Sequence, residues 1–235
     1  KGGQEVTGKV IISNIDAHAT FSTLLGEDQI PRSFRSKLKG MRPSLSYFIL
    51  YLGIDGDLEE FSVSNNEVFF DDQLSKEYQA LYENRIPSGA PFYLLAPSKV
   101  NPSHAPEGKS TLCLSMKAPY HYSQDWDQKV IDQLSQHLIF RASALVPGLN
   151  KRILTKAEAT PKTIEKWTGN LQGAAYGWAQ IPGQSGIHRL QRTTPIPNLF
   201  LTGHWTSPGG GIAAVVASGE LTAEAVLKRF EKGEF

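Results

Sequence analysis

Three successive glycines, Gly209–Gly211, stand in the stretch whose residue types and spacing best suit the binding of an anion. The apolar run 198–202 precedes them and predicts a short buried strand. Apolar residues recur at helical spacing from Ile212 to Phe230 and predict a helix. Glycines let the backbone approach a ligand, and a helix N-terminus adds about half a positive charge. The pattern therefore indicates a site for a negatively charged group, although a purely structural glycine turn would look the same.

The other chemically active residue types form no recognisable site. The six histidines show neither H-x-H nor H-E-x-x-H spacing, so we expect no metal site. Cys113 is the single cysteine, which excludes an internal disulfide and fits a reducing compartment. Its apolar neighbours predict a buried, inert thiol. In the strand expected at 110–117, Leu112, Leu114 and Met116 should lie on one face and Cys113 and Ser115 on the other. No residue pair suggests an acid–base couple, so the catalytic residues are unknown from the sequence.

Composition limits the classes of partner. The chain has 235 residues, a 40% hydrophobic content and a net charge of +1, which allows one or two domains with a sizeable core. Basic runs are short, so we expect no nucleic-acid partner. The densest basic patch, 32–42, is either a solvated face or a peripheral contact with an anionic membrane. No run reaches the roughly 18 apolar residues of a spanning helix. We therefore expect a cytoplasmic or peripherally membrane-bound protein, although the true N-terminus is not visible in this sequence.

Apolar alternation and periodicity predict the elements that would position these residues. One mixed or antiparallel sheet is expected from four of the strands, of which 47–54 is apolar throughout and should be covered on both faces. Strands are expected at 8–15, 47–54, 67–70, 91–96, 110–117, 151–159 and 198–202. Helices are expected at 17–25, in part of 31–42, at 72–83, between 123 and 147, at 161–167 and from 212.

The closing stretch GHWTSPGGGIAAVVASG, residues 203–219, resembles the C-terminal signature of the phytoene desaturase and carotenoid isomerase branch of the flavin amine oxidase superfamily. The segments VIISNID at 10–16 and PSKVNPSHAPEG at 97–108 are also similar to that branch, so the resemblance spans nearly the whole chain. It implies a FAD-dependent oxidoreductase that desaturates, saturates or isomerises a carotenoid- or retinoid-like polyene. Two alternatives stay open: an amine-oxidase-like flavoenzyme, and a non-catalytic module that binds an apolar ligand without a cofactor.

The resemblance also implies the residues of the site. Related flavoproteins often carry an acidic residue for the ribityl chain where this sequence has His204, so we expect backbone contacts instead. The alternative is a loop histidine satisfied by neighbouring carbonyl groups. Tyr176 and Trp178 are expected near the flavin ring or the substrate, where an aromatic wall would suit a polyene, unless they are ordinary core residues. The predicted cofactor contacts are Gly203, His204, Pro208, Gly209, Gly210, Gly211, Ile212 and Ala213.

An α/β (α+β) fold follows from the resemblance, with a partial FAD/NAD(P)-binding Rossmann-like domain and an inserted substrate domain of mixed sheet and helices. Segments 1–30 and 169–235 would form the C-terminal part of the FAD-binding domain, and 31–168 the substrate-binding domain. The G-x-G-x-x-G motif that receives the FAD pyrophosphate does not occur. We therefore expect the C-terminal portion of a larger enzyme, whose partner is the missing N-terminal half of the same protein. Alone, this portion should be inactive and retain no FAD.

Overall fold

The chain folds into two compact units. Unit 1 comprises Lys1–Ser44 and Thr168–Phe235, and unit 2 comprises Leu45–Trp167. The computed structural model describes residue 3 and residues 5–61, 63–70 and 72–235. Residues 1, 2 and 4 of the predicted domain segment 1–30 thus lie outside the described residues. The division into a cofactor domain and a substrate domain stays a prediction.

The regular elements are labelled in chain order. The strands are β1 (Ile11–Ser13), β2 (Ser46–Asp55), β3 (Asn66–Phe69), β4 (Phe92–Leu95), β5 (Lys109–Ala118), β6 (Ile153–Ala159) and β7 (Leu199–Leu201). The helices are α1 (Arg32–Gly40), α2 (Leu74–Tyr82), α3 (Pro97–Val100), α4 (Gln128–Ala142), α5 (Leu149–Arg152), α6 (Pro161–Thr168) and α7 (Ile212–Glu231). This mixed α/β content confirms the predicted fold class.

Unit 2 is built on an antiparallel sheet with the strand order β3-β4-β5-β2-β6. The two central strands pair along ten residues, with Leu50 of β2 opposite Leu114 of β5. Alternate residues of these strands are buried and pack with Leu138 and Ala142 of α4 in one core. The antiparallel sheet was predicted correctly, and β6 joins it as a fifth strand.

The prediction that both faces of the strand at 47–54, which is part of β2, are covered was wrong. Burial alternates along the strand, and Tyr51, on the face opposite the core, is 48% exposed. Cys113 and Ser115 of β5 share this second face, as the alternation in the sequence indicated. An apolar strand can face a core on one side and an apolar groove on the other, and periodicity does not separate these two cases.

Unit 1 contains a parallel pair of short strands, with Ile11 of β1 opposite Leu199 of β7. The predicted strand 8–15 is therefore shorter in the structure. A π-helical turn, Ala19–Leu24, replaces the short helix expected at 17–25. Among the buried side chains around these elements are Ala17, Phe21, Leu190, Trp178 and Trp205.

The closing helix α7 packs through small polar residues rather than through its apolar periodic face. Ser218 accepts a hydrogen bond from the Gly203 N–H at 3.0 Å, and Thr222 donates to the Leu201 carbonyl at 3.0 Å. By contrast, Ile212 is 86% exposed. The helix itself was predicted correctly, but the side on which it is buried was not.

Candidate functional site

The glycine bend, Gly209–Gly211, connects the loop after β7 to the start of α7, and its glycines have different neighbours. A Cβ atom on Gly210 would lie 2.6 Å from the Cβ of Tyr176. Packing within the chain therefore already requires a glycine at this position, and the backbone contact of Gly210 with FAD stays a prediction. A Cβ atom on Gly211 would meet nothing within 4 Å, although its φ of +105° still favours glycine. Only the Gly211 end of the bend borders open space.

The first turn of α7 is accessible and uncapped. Gly211 is the N-cap residue and provides no side chain to accept from the helix N–H groups, and Ile212 and Ala213 are exposed. The first N–H groups of a helix have no acceptor within the helix, and they carry its positive end. This open, uncapped end suits a negatively charged group, as the sequence indicated.

Two further predicted cofactor residues, Gly203 and Pro208, lie on either side of a buried loop. Gly203 has a φ of +85°, and a Cβ atom there would collide with the Asn14 side chain. Asn14 belongs to the VIISNID segment, so this segment lies against the end of β7. Pro208 is exposed. Contacts of both residues with FAD stay predictions.

His204 is half-buried, and its surroundings favour the neutral imidazole. Burial lowers the pKa of His204, and the nearby positive charge of Arg189 lowers it further. Asp16 and a backbone hydrogen bond with Ala175 oppose these effects. The ring also packs edge-on against Trp205, with centroids 5.5 Å apart. The contact with the Ala175 backbone matches the structural alternative that the sequence left open.

The lowered pKa of His204 should make stability fall with acidity. Because the unfolded chain binds the proton more readily than the folded one, this contribution is complete above the ordinary value of 6.5 and is lost as the pH falls below it. We expect the urea midpoint to drop between pH 7.5 and 5, and His204→Gln to flatten that drop. His188→Gln is the matched control, since His188 is an exposed histidine of unit 1. An equal effect of both substitutions would contradict the prediction.

The two predicted substrate residues differ in their surroundings. Tyr176 is half-buried and packs under Gly210, so the structure brings it to the glycine bend. Trp178 is fully buried in the core of unit 1, with its ring edge-on to Trp205 at 4.8 Å. Its indole nitrogen is buried without a hydrogen-bond partner among the described residues. Contact of either residue with a substrate stays a prediction.

Arg189 is a central residue of this region that the sequence did not indicate. Its side chain is 1% exposed and donates hydrogen bonds to the carbonyl oxygens of four residues. These are Tyr176, Trp178, His204 and Thr206. The sequence around Arg189, GIHRLQR, is polar and has no apolar periodicity, so it gave no signal of burial.

A separate apolar groove, the sheet-face groove, lies on the second face of the sheet in unit 2. Its volume is about 680 Å³, and it is lined mainly by apolar atoms. Tyr47, Ile49 and Tyr51 of β2 form one side, and Cys113 of β5 lies beside them. Burial raises the pKa of Tyr51, and the neighbouring Cys113 adds to this effect. The lining is suited to a ligand with little polar surface.

Cys113 should react slowly with thiol reagents. Burial raises the pKa of its thiol to about 11 from 9.0, which reduces the thiolate fraction at pH 8. A thiolate of higher pKa is more nucleophilic, so the net reaction should be about tenfold slower than that of an ordinary thiol. The measurement is the rate with an aromatic disulfide reagent at pH 8, with the same protein in urea as the control. Equal rates in both conditions would show that the thiol is already accessible in the folded state.

Two other kinds of feature do not occur among the described residues. Within them, no group of three or more His, Cys, Asp or Glu side chains could hold a metal ion. No helix in the same part of the chain is long and apolar enough to cross a membrane.

Comparison with known proteins adds evidence of ancestry. The family profile described as "Flavin containing amine oxidoreductase" matches residues 3–227. The chain is 26% identical over 204 residues to the 4,4'-diapophytoene desaturases (4,4'-diaponeurosporene-forming) of Staphylococcus aureus strains Newman and USA300. These alignments cover 84% of this chain and 40% of each relative, so the chain spans about two fifths of their length.

Solved structures show the same fold. Cyclohexylamine oxidase from Brevibacterium oxydans IH-35A aligns with a TM-score of 0.61 at 13% identity, over 98% of this chain and 45% of that one. An oxidoreductase from Methanosarcina mazei aligns with a TM-score of 0.53 at 13% identity, over 95% of this chain and 44% of that one. At such identities the likeness concerns the fold and not the substrate.

Proposed function

Because this chain belongs to the flavin-containing amine oxidoreductase family, whose members are FAD-dependent, we propose that it is the C-terminal portion of an enzyme acting on a carotenoid- or retinoid-like polyene. The reaction would be a desaturation, a saturation or an isomerisation. The similarity to the 4,4'-diapophytoene desaturases supports this substrate class.

The observation that carries the proposal is the apolar sheet-face groove of unit 2. The hydrocarbon chain of a polyene offers no hydrogen-bonding groups, so only shape, stacking and apolar contact can recognise that chain. The groove offers such contacts through Tyr47, Ile49 and Tyr51 in a volume of about 680 Å³. This volume lies within the range of about 300–1,000 Å³ that is usual for small-molecule sites.

The same groove disfavours an amine as the substrate. A protonated amine is best held by a free carboxylate. Lys156 is the charged residue of the lining, and no carboxylate lines the groove in the described part of the chain. Lys156 is ion-paired with Glu158 at 2.8 Å and with Asp132 at 3.5 Å, so the described lining presents no free negative charge to an ammonium group.

In unit 1, the residues that would hold FAD are those at the open end of the glycine bend. Gly211, Ile212 and Ala213 offer an uncapped helix start to an anionic group. The chemistry that FAD supplies when bound is acceptance of a hydride. This chain would contribute orientation of the ligands and apolar surroundings that exclude water. We further propose that an N-terminal half supplies the missing pyrophosphate motif, and that contact with the substrate involves peripheral attachment to a membrane.

Flavin content and product analysis test this function. The full-length natural protein, purified with FAD, should show flavin absorbance and convert a phytoene-type polyene, with products followed by chromatography. Cyclohexylamine serves as the matched amine substrate and should not be consumed. A colourless protein that takes up no flavin would contradict the proposal. Turnover of the amine without turnover of the polyene would show that the proposed substrate class is wrong.

A further inference from the structure

Arg189 is a buried arginine without a counter-ion in the described part of the chain. Its side chain is 1% exposed, and each of its hydrogen bonds ends on a main-chain carbonyl oxygen. Burial lowers the pKa of the guanidinium to about 10, so it still carries its charge at pH 7. Burying a charge without a counter-ion is costly, so the hydrogen bonds must offset much of that cost.

One guanidinium group joins two separate segments of unit 1. Its Nη1 donates to the Trp178 carbonyl at 3.1 Å and its Nη2 to the Tyr176 carbonyl at 3.0 Å. On the other side, Nε donates to the Thr206 carbonyl at 3.1 Å and Nη2 to the His204 carbonyl at 2.5 Å. A planar fork with fixed donor directions can satisfy four acceptors at once, whereas a lysine ammonium cannot reproduce that arrangement.

The charge of Arg189 lies directly beneath the glycine bend. A Cβ atom on Gly209 would be 3.4 Å from the Arg189 Nε and 3.5 Å from its Cζ, so the side chain contacts the first residue of the bend. The opposite end of the bend, at Gly211, borders open space. An anion bound there would meet both the positive helix end and the field of this arginine.

We infer that Arg189 is a positioning residue of the proposed flavin site. Its fork holds the segments 176–178 and 204–206 at a fixed spacing, and its buried charge favours negative charge on a ligand at the glycine bend. The ligand class is an anionic nucleotide cofactor, and this part of the inference rests on the proposed function. The spacing role does not depend on any ligand.

Two substitutions separate the fork from the charge. Arg189→Lys keeps a positive charge but loses the fourfold hydrogen bonding, and Arg189→Gln loses both. Arg32→Gln is the matched control, because Arg32 is an exposed arginine of unit 1. All variants are made in the full-length protein. The measurements are amide hydrogen exchange of peptides covering 176–178 and 204–209, the pKa of His204 by NMR, and the dissociation constant of FAD.

Both Arg189 variants should exchange faster in the two segments, whereas Arg32→Gln should match the wild type. The pKa of His204 should rise in Arg189→Gln and stay low in Arg189→Lys, because the charge is retained. FAD binding should weaken about tenfold or more in Arg189→Gln. Unchanged exchange and an unchanged His204 pKa in Arg189→Gln would overturn the inference. If that variant does not fold, unchanged exchange in Arg189→Lys overturns it equally.

The outcome for FAD separates this inference from the proposed function. Wild-type protein that binds no FAD would contradict the proposed function and the ligand part of the inference. The spacing role of Arg189 would then be tested by hydrogen exchange alone. Wild-type protein that binds FAD, together with an Arg189→Gln variant that binds it equally well, would overturn only the charge role of Arg189.

Discussion

Gly177→Ala is expected to destabilise the protein by about 3 kcal/mol or more, because it combines a strained backbone with a steric collision. Gly177 has a φ of +65°, and a Cβ atom there would lie 2.5 Å from the His204 carbonyl oxygen and 2.8 Å from its carbonyl carbon. These are main-chain atoms, so no side-chain rotation can relieve the contact. The segments on either side of Arg189 would have to separate.

Gly183→Ala is the control that isolates the backbone strain. Gly183 also has a positive φ, +85°, and lies in unit 1, but a Cβ atom there would meet nothing within 4 Å. This variant should lose only about 1 kcal/mol. Urea unfolding followed by tryptophan fluorescence measures both, since Trp178 and Trp205 pack together beside Gly177. An equal loss in the free energy of unfolding of the two variants would show that the steric collision at residue 177 does not destabilise the protein.

Gly177→Ala should also reduce the flavin content of the full-length protein more than its stability loss explains. The displaced carbonyl belongs to His204, a residue of the proposed cofactor loop. The measurement is the absorbance of bound flavin per protein chain, compared between Gly177→Ala and Gly183→Ala without urea, where both variants are folded. A folded Gly177→Ala variant with full flavin content would mean that the loop position is unimportant for binding.

The sequence predicted the sheet of unit 2 because strands with one buried face alternate in a visible way. Leu112, Leu114 and Met116 were assigned to one face of β5 and Cys113 to the other, and the structure confirms both. The alternation depends only on local backbone geometry, so it needs no knowledge of the neighbouring strands. What covers the second face depends on the rest of the fold, and that prediction failed at Tyr51.

The arrangement around the glycine bend was less predictable, because it depends on contacts between distant residues. The direction of a Cβ atom on Gly210 points at Tyr176, 34 positions earlier in the chain, and no local pattern indicates that contact. Arg189 reads as a surface residue, since its carbonyl acceptors come together only in the folded chain. The start of a helix directly after the glycines was predicted correctly, because strand, glycines and helix are adjacent in sequence.

Substitutions at two adjacent residues of β2, Leu50 and Tyr51, should affect stability and ligand binding differently. Leu50→Ala removes a side chain that is 0% exposed in the core of unit 2, and it should cost about 3 kcal/mol. Tyr51→Ala removes a side chain that is 48% exposed, and its stability cost should be smaller, about 1–2 kcal/mol. If the sheet-face groove holds the polyene, Tyr51→Ala should nevertheless weaken polyene binding about tenfold.

Tyr51→Phe identifies what the ligand recognises. A polyene has no partner for the tyrosine hydroxyl, so the phenylalanine variant should bind it as the wild type does. Binding is measured by the absorbance shift of the polyene with the full-length, flavin-loaded protein, and stability by urea unfolding of the same samples. Full polyene binding by a folded Tyr51→Ala variant would remove the groove from the site. An equal loss in Tyr51→Phe and Tyr51→Ala would indicate a ligand that uses the hydroxyl, which the hydrocarbon chain of a polyene cannot do.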